Sequence, residues 1–130
     1  MIILDTDVCI EILRGSEIVL EKRASYKGET AVSFLTVGEL YYGARKSSRV
    51  ESNTQLVEEF LGTIDVIQSS DSIMERFGIL KAELSTRHQL LPDADIIIAA
   101  CAFEYGGKLA SGNTRHFERF SGLRLFNWMQ

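Results

Sequence analysis

The chain has 130 residues, of which 45% are hydrophobic and 25% are charged, and its formal net charge is −4. This length predicts one domain, residues 1–130, with a sizeable core and little room for a second one. The ordinary charge content and the single proline argue against disorder. The negative net charge argues against a protein that binds nucleic acid through an overall positive electrostatic field. It does not argue against one whose acidic pocket is neutralised by a metal ion.

The cysteines and the apolar segments indicate the compartment. Cys9 and Cys101 lie in apolar helical contexts, and we expect both to be reduced core residues, which fits a cytoplasmic location. The chain starts directly in a strand-like run, without the basic and then apolar pattern of a secretory signal. The apolar stretch 96–103 is far shorter than a membrane span, so no contact with a membrane is expected.

Apolar runs alternate with helical patterns along the chain. This alternation predicts an α/β fold with a mostly parallel sheet of four to five strands flanked by helices. The predicted strands are residues 2–5, 30–34, 64–67, 108–111 and 123–127. The predicted helices run from an Asp7 cap to a stop at Gly15, from 16 to about 27, around 37–44, over 50–61, from near Ser70, over 96–103 and over 113–120. The run 96–103 fits a buried strand or a buried helix, and the preceding Pro92-Asp93-Ala94-Asp95 favours the helix.

Three acidic residues follow different predicted strands or open a helix beside them. Asp5 ends the first apolar run, Glu39 follows the second strand by about one helical turn, and Asp95 opens the apolar helix 96–103. The carboxyl ends of parallel strands and the helix starts beyond them converge on one crevice. A cluster of like charges is costly unless a cation neutralises it. Oxygen ligands of this kind suit Mg²⁺ or Mn²⁺ rather than zinc.

These acids also have structural interpretations. Asp7 is a plausible N-cap of the first helix, and Glu39 with Thr36 satisfies the capping-box pattern. Asp95 in the first turn of a helix complements the helix dipole. Asp93 is the better cap candidate of its pair, so we expect one of Asp93 and Asp95 to be structural and the other functional.

A fourth polar segment lies at Ser111 to Phe117, again where a strand meets a helix. Asn113 is the default N-cap, and its side-chain oxygen also suits the support of a metal-bound water. His116 is a weak candidate for a general base. Two groups of cations are candidates for phosphate contacts, or simply a solvated face: Arg115, Arg119 and Arg124, and Arg45, Lys46 and Arg49.

Four short segments, in order and at characteristic spacing, cover nearly the whole chain. They are Leu4-Asp5-Thr6-Asp7-Val8 with Leu13-Arg14-Gly15, Ser33 through Thr36-Val37-Gly38-Glu39-Leu40 with Tyr42-Gly43, Asp95-Ile96-Ile97-Ile98-Ala99-Ala100, and Ser111-Gly112-Asn113-Thr114 with Phe117 and Gly122-Leu123. With them the chain resembles the PIN-domain ribonucleases, and specifically the VapC-type toxins of toxin–antitoxin pairs. The resemblance implies that Asp5, Glu39 and Asp95 are metal-binding acids. The family's fourth acidic position falls on Asn113, an amide, and Asp7 stands where the family often has Asn.

The resemblance implies metal-assisted hydrolysis of an RNA phosphodiester, in which Mg²⁺ or Mn²⁺ polarises the phosphoryl oxygen and activates a water. Asp5 and Asp95 would hold the ion, Glu39 would ligate it or orient the water, and Asn113 would support them. The expected partners are the RNA substrate, a small cognate antitoxin and a second copy of the chain. A face formed by 50–61 with Tyr41 and Tyr42 has more apolar residues than one packed helix needs, which favours a binding surface there.

Two alternatives from other classes remain open at this point. A phosphohydrolase of the haloacid-dehalogenase type would use Asp5 as nucleophile and Asp7 as acid/base, but it would leave Glu39 without a task. A non-catalytic PIN-like module that binds protein or RNA would leave RNA uncut.

Overall fold

Five short strands form one parallel sheet in the computed structural model, which describes all 130 residues. In chain order they are β1 (Ile2–Leu4), β2 (Thr30–Ser33), β3 (Asp65–Ile67), β4 (Lys108–Ala110) and β5 (Arg124–Phe126). Their spatial order is β3-β2-β1-β4-β5, and all four pairings are parallel. The predicted mostly parallel α/β sheet is therefore confirmed, with five strands.

Seven helices flank the sheet on both faces. They are α1 (Thr6–Leu13), α2 (Glu17–Ser25), α3 (Phe34–Arg45), α4 (Val50–Leu61), α5 (Asp71–Thr86), α6 (Asp93–Glu104) and α7 (Thr114–Phe117). Side chains of β1 alternate between two cores: Ile3 packs with residues of α5 and α6, whereas Ile2 and Leu4 pack with residues of α1 to α4. Strand β1 is thus buried on both faces, which explains its unbroken apolar sequence.

The sheet has its topological switch point between β1 and β4. The chain builds outward from β1 through β2 to β3, and later returns to the other side of β1 with β4 and β5. In sheets of this kind, ligands bind outside the carboxyl ends of the strands at the switch point. The residues that directly follow β1 and β4 therefore lie at the expected place for a functional site.

Most predicted elements are confirmed within one or two residues. The stretch 96–103 lies inside α6, the stretch 50–61 coincides with α4, and Ser70 caps α5 by accepting the Ile73 N–H. Gly15 follows α1 with a φ of +79°, a left-handed conformation typical of a glycine that ends a helix. The last helix is shorter than predicted, since it covers Thr114–Phe117. Cys9 and Cys101 are buried free thiols, as expected.

Three predicted helix caps are wrong. Asp5, not Asp7, is the N-cap of α1, and its carboxylate accepts the Thr6 N–H. The structural alternative for Glu39 fails because Ser33 caps α3 one turn earlier and its hydroxyl accepts the Thr36 N–H. Both residues of the supposed capping box therefore lie inside α3.

The third correction concerns the start of α6. Pro92 occupies the N-cap position, so Asp93 is the first helical residue and makes no capping bond. Its carboxylate instead accepts from Lys81 Nζ at 2.9 Å, in an exposed ion pair. Asp95 lies in the first turn, as predicted. No helix of the fold combines the length and the apolar character that a membrane span requires.

Candidate active site

Asp5 is the most buried acid of the chain, with 6% of its surface exposed. It directly follows β1, and its two oxygens have separate donors: Oδ1 accepts the Thr6 N–H at 2.8 Å, and Oδ2 accepts the Ser111 hydroxyl at 2.7 Å. Burial, and then the neighbouring charges of Asp7 and Asp95, raise the pKa of Asp5 to about 7. A carboxylate in this setting is costly to ionise unless a cation compensates its charge.

Asp7 joins α1 to the loop after β4. Its Oδ2 accepts the Gly112 N–H at 2.9 Å, and its Oδ1 accepts the Val8 N–H at 2.7 Å. Burial raises the pKa of this carboxyl above its ordinary value, against the effect of these two hydrogen bonds. A Cβ atom at Gly112 would lie 3.1 Å from Asp7 Oδ2 and 2.5 Å from Met129 Sδ. A glycine at that position therefore permits the close approach of the loop to Asp7.

Glu39 ends a chain of three hydroxyl groups. The Ser33 hydroxyl donates to Thr36 Oγ1 at 3.4 Å, Thr36 and Thr6 Oγ1 are 3.0 Å apart, and Thr6 donates to Glu39 Oε1 at 2.6 Å. Because the Thr6 hydrogen points to the carboxylate, Thr36 is the donor in the middle contact. Ser33 and Thr36 are fully buried. The hydroxyl groups therefore fix Glu39 on α3 relative to the start of α1.

Asp95 is held by the last helix. His116 Nδ1 lies 2.8 Å from Asp95 Oδ2 and 2.9 Å from Asn113 Nδ2. A carboxylate only accepts, so the imidazole donates its Nδ1 hydrogen to Asp95, and the Asn113 amide then adjoins the ring without donating to it. Asn113 occupies the predicted N-cap position of α7 but makes no side-chain capping bond. His116 is thus an orienting partner of Asp95.

These side chains form one acidic crevice, which we define as Asp5, Asp7, Glu39 and Asp95. Asp7 and Asp95 both act electrostatically on Asp5, and Glu39 is tied to the same place through Thr6. No set of three or more acidic, histidine or cysteine side chains is already arranged as a complete metal-binding group. Each carboxylate instead accepts a hydrogen bond from a donor within the protein.

The crevice suits a hard divalent cation by two criteria. Its ligand atoms are carboxylate oxygens, which Mg²⁺ and Mn²⁺ prefer. The pKa of its innermost carboxylate, Asp5, is raised by burial and then by the neighbouring charges of Asp7 and Asp95, and a bound cation would compensate for these effects. The residues present therefore fit a bound divalent ion.

The sequence analysis missed the hydroxyl groups that position the acids. In the sheet register, Leu4 pairs with Ala110 and Ile3 with Ala31. Continuing the register places Asp5 between Ser111 on one side and Ser33 on the other. Ser111 closes an apolar run in the sequence and Ser33 interrupts one, which is the signal that could have identified them. Their partners, however, depend on which strands are neighbours.

Comparisons with known proteins identify the family of the chain. The PIN domain family model matches residues 2–123. The chain is 39% identical over 127 residues to Ribonuclease VapC2 of Haemophilus influenzae, an alignment that covers 97% of this chain and 96% of that protein. It is 33% identical over 126 residues to the tRNA(fMet)-specific endonuclease VapC of Shigella flexneri, with 96% of each covered.

A solved structure shows the same fold. The crystal structure of VapBC2 from Rickettsia felis, bound to a DNA fragment from their promoter, matches with a TM-score of 0.91 at 26% identity. The match covers 98% of this chain and 99% of that one. The chain therefore belongs to the PIN domain family and, within it, to the VapC ribonucleases of toxin–antitoxin systems.

Proposed function

We propose that the chain hydrolyses RNA phosphodiester bonds with one or more Mg²⁺ or Mn²⁺ ions held by Asp5, Glu39 and Asp95. Nucleases of this family are metal-dependent. The observation that carries the proposal is the buried carboxylate of Asp5, whose pKa is raised to about 7 beside two further acids. When bound, the ion would neutralise this charge and polarise the scissile phosphoryl group.

The surrounding residues orient the acids. Ser111 holds Asp5, Thr6 holds Glu39, and His116 holds Asp95, each by a hydrogen bond of 2.6 to 2.8 Å. Outer partners of this kind fix the direction in which a ligand's remaining lone pairs point. The Asn113 side chain makes no capping hydrogen bond to α7. We propose that its amide instead contacts the reacting water or phosphate.

The name of one relative suggests an RNA substrate to test. The relative from Shigella flexneri is named a tRNA(fMet)-specific endonuclease, so the initiator tRNA is the first substrate to test. An RNA substrate also places the proposed activity in the cytoplasm.

We further propose that a small antitoxin docks in a groove between α1, α3 and α4. The groove has a volume of about 410 Å³, and its lining includes Ile10, Leu13, Leu40, Leu56 and Val57, with Glu39. An apolar segment fits this lining, and a cationic side chain next to it would reach the acidic crevice through Glu39. The solved structure from Rickettsia felis is a VapBC complex.

A homodimer completes the proposed assembly. Several large apolar side chains are exposed outside the groove, among them Tyr42 at 65%, Ile79 at 50% and Leu90 at 53%. Such side chains favour contact with a second copy. Sedimentation as a monomer at micromolar concentration would contradict the dimer without affecting the catalytic proposal.

An RNA-cleavage assay tests the enzymatic proposal. Wild-type protein is incubated with initiator tRNA and Mg²⁺ or Mn²⁺, with and without chelator, beside Asp5→Asn and the exposed control Asp65→Asn. We expect cleavage by the wild type and by Asp65→Asn with metal, and none with chelator or with Asp5→Asn. Cleavage by Asp5→Asn would contradict the assignment, and uncut RNA throughout would favour the non-catalytic module.

The phosphohydrolase alternative is not retained. The family model and the relatives identify a PIN nuclease. In addition, Glu39 is linked to the site by the Thr6 hydroxyl, whereas a phosphoaspartate mechanism would give it no role. Failure to trap a phosphoenzyme with a small phosphomonoester would agree with this choice.

A further inference from the structure

Three arginines line one cleft beside the acidic crevice. Arg87 follows α5, Arg115 lies within α7, and Arg119 comes two residues after α7. The cleft has a volume of about 470 Å³, no hydrophobic side chain lines it, and its other lining residues are Gln89, Glu118 and Ser121. We call it the arginine cleft. Its composition is unlike that of the apolar groove between α1, α3 and α4.

Two of the guanidinium groups are fixed by neutral acceptors. Arg87 Nη2 donates to the carbonyl oxygen of Arg119 at 3.0 Å, and Arg119 Nη1 donates to that of Gln89 at 3.2 Å. A guanidinium has five N–H donors, so most donors of both groups remain available. The backbone carbonyls therefore orient these side chains without neutralising their charge.

The charges of the cleft are not compensated within the chain. The ion pairs of the structure use Arg14, Arg76 and Lys81 as their cations, and a further close contact joins His116 to Asp95. Glu118 is the only acid in the cleft, and it forms no ion pair with any of the three arginines. Three positive charges against one negative charge make this a locally basic site on a chain whose net charge is −4.

Helix α7 connects the cleft to the crevice. Arg115 is adjacent in sequence to His116, whose imidazole contacts Asp95 at 2.8 Å. The same four-residue helix thus carries a side chain that serves the acidic crevice and one that lines the arginine cleft. A polyanion bound at the crevice could therefore extend along α7 towards the guanidinium groups of the cleft.

We propose that the arginine cleft holds backbone phosphates of the RNA strand on one side of the scissile bond. This inference rests on the proposed ribonuclease function and adds the surface that positions the substrate. Guanidinium groups match the geometry of phosphate oxygens and bind them through paired hydrogen bonds. Contacts with phosphates fix the register of the strand and carry no base specificity. The cleft is therefore a positioning surface for RNA of any sequence.

Arginine-to-glutamine variants test the cleft by direct RNA binding. Labelled initiator tRNA is titrated with Asp5→Asn protein in EDTA over a range of NaCl concentrations. The same titration is done with Asp5→Asn protein that also carries Arg115→Gln or Arg87→Gln. Each lost phosphate contact should lower the salt slope of log K by about 0.7 to 0.9 and the affinity about four- to sixfold at 0.15 M salt. Arg124→Gln is the matched control, because Arg124 is an exposed arginine of β5 outside the cleft. Glu118→Gln should bind RNA more tightly.

Cleavage kinetics supply the second measurement. In the active protein, Arg115→Gln should raise KM with little change in kcat, because a contact remote from the reacting atoms stabilises ground and transition state equally. Arg115 makes no hydrogen bond through its side chain in the structure, so its replacement leaves the fold intact even if Arg87→Gln lowers the melting temperature. If Arg115→Gln and Arg87→Gln bind RNA as Arg124→Gln does, the cleft proposal is overturned, while cleavage by the wild type still supports the proposed function.

Two further outcomes would also overturn the proposal. A wild type that cleaves RNA while the cleft variants lose only the binding of a protein partner would assign the cleft to that partner. A wild type that neither binds nor cleaves RNA would remove the proposed function together with the cleft.

Discussion

Thr6 Oγ1 donates a hydrogen bond of 2.6 Å to Glu39 Oε1 and thereby joins the first residue of α1 to the middle of α3. Thr6 directly follows Asp5, whose carboxylate caps the same helix. One hydroxyl group therefore links the two segments that carry acids from different β-α units. The order of the two strands, β1 beside β2, makes this contact possible.

Removal of the Thr6 hydroxyl should uncouple Glu39 from the site. Thr6→Val keeps the shape of the side chain but leaves Glu39 without this donor and Thr36 without its acceptor. We expect a loss of kcat/KM and of Mn²⁺ affinity on the order of 10- to 100-fold, with about 1–2 kcal/mol of lost stability. Thr6→Ser retains the hydroxyl and should restore most of both. Wild-type activity in Thr6→Val would show that the contact has no functional role.

The positions of the three acids could be predicted because the signal is local. Asp5 ends an apolar run, and Asp95 opens one. Parallel topology then brings such positions to one edge of the sheet. The helix caps were harder to predict from the sequence. Ser33 and Thr36 are both suitable N-cap residues for α3, and only the position at which β2 ends decides between them.

The contacts between elements could not be predicted. Ser111 donates to Asp5 because β4 lies next to β1, although more than a hundred residues separate the two. His116 reaches Asp95 only when α7 and the start of α6 are both in place. A lone histidine in the sequence carries no information about such a partner.

The stability of the metal-free protein should depend on pH through Asp5. Its pKa in the folded chain is about 7, against an ordinary value of 3.8. Between about pH 4 and pH 7 the folded state keeps a proton that the unfolded chain has released, so this carboxyl makes the free energy of unfolding fall as the pH rises. Asp5→Asn has no such proton. The melting temperature of Asp5→Asn minus that of the wild type, measured in EDTA, should therefore increase from pH 4 to pH 7 and then level off. A difference that shrinks over this range would contradict the raised pKa.

The stabilisation of the folded protein by divalent metal should increase as the pH rises. Mg²⁺ or Mn²⁺ binds the ionised form of Asp5, so protons compete with the ion below the pKa of about 7. We expect the rise in melting temperature caused by Mn²⁺ to be larger at pH 8 than at pH 6, by mass action. Asp65→Asn should behave like the wild type, and Asp5→Asn should lose the response. An Asp5→Asn protein that Mn²⁺ still stabilises to the wild-type degree would show that the ion binds elsewhere.

Substitutions of Asp93 and Asp95 should differ sharply in their effect on RNA cleavage, although the two residues are only two positions apart. Asp95→Asn removes a carboxylate that His116 orients and should abolish cleavage with little loss of stability. Asp93→Asn breaks only the exposed ion pair with Lys81, which is worth roughly 0–1 kcal/mol, and should leave cleavage unchanged. Activity assays and thermal melting of both variants check this. Loss of cleavage in Asp93→Asn with retention in Asp95→Asn would reverse the assignment.

The groove between α1, α3 and α4 should control inhibition without affecting catalysis. Leu56 lies in the groove and is 45% exposed, so Leu56→Glu places a charge where an apolar antitoxin segment is proposed to pack. Leu20 on α2 is 41% exposed and lies outside the groove, which makes Leu20→Glu a matched control. We expect Leu56→Glu to cleave RNA normally but to escape inhibition by the co-expressed antitoxin, and Leu20→Glu to remain inhibited. A buried carboxylate without a partner would weaken any apolar contact in the groove. Equal inhibition of both variants would therefore place the antitoxin on another surface.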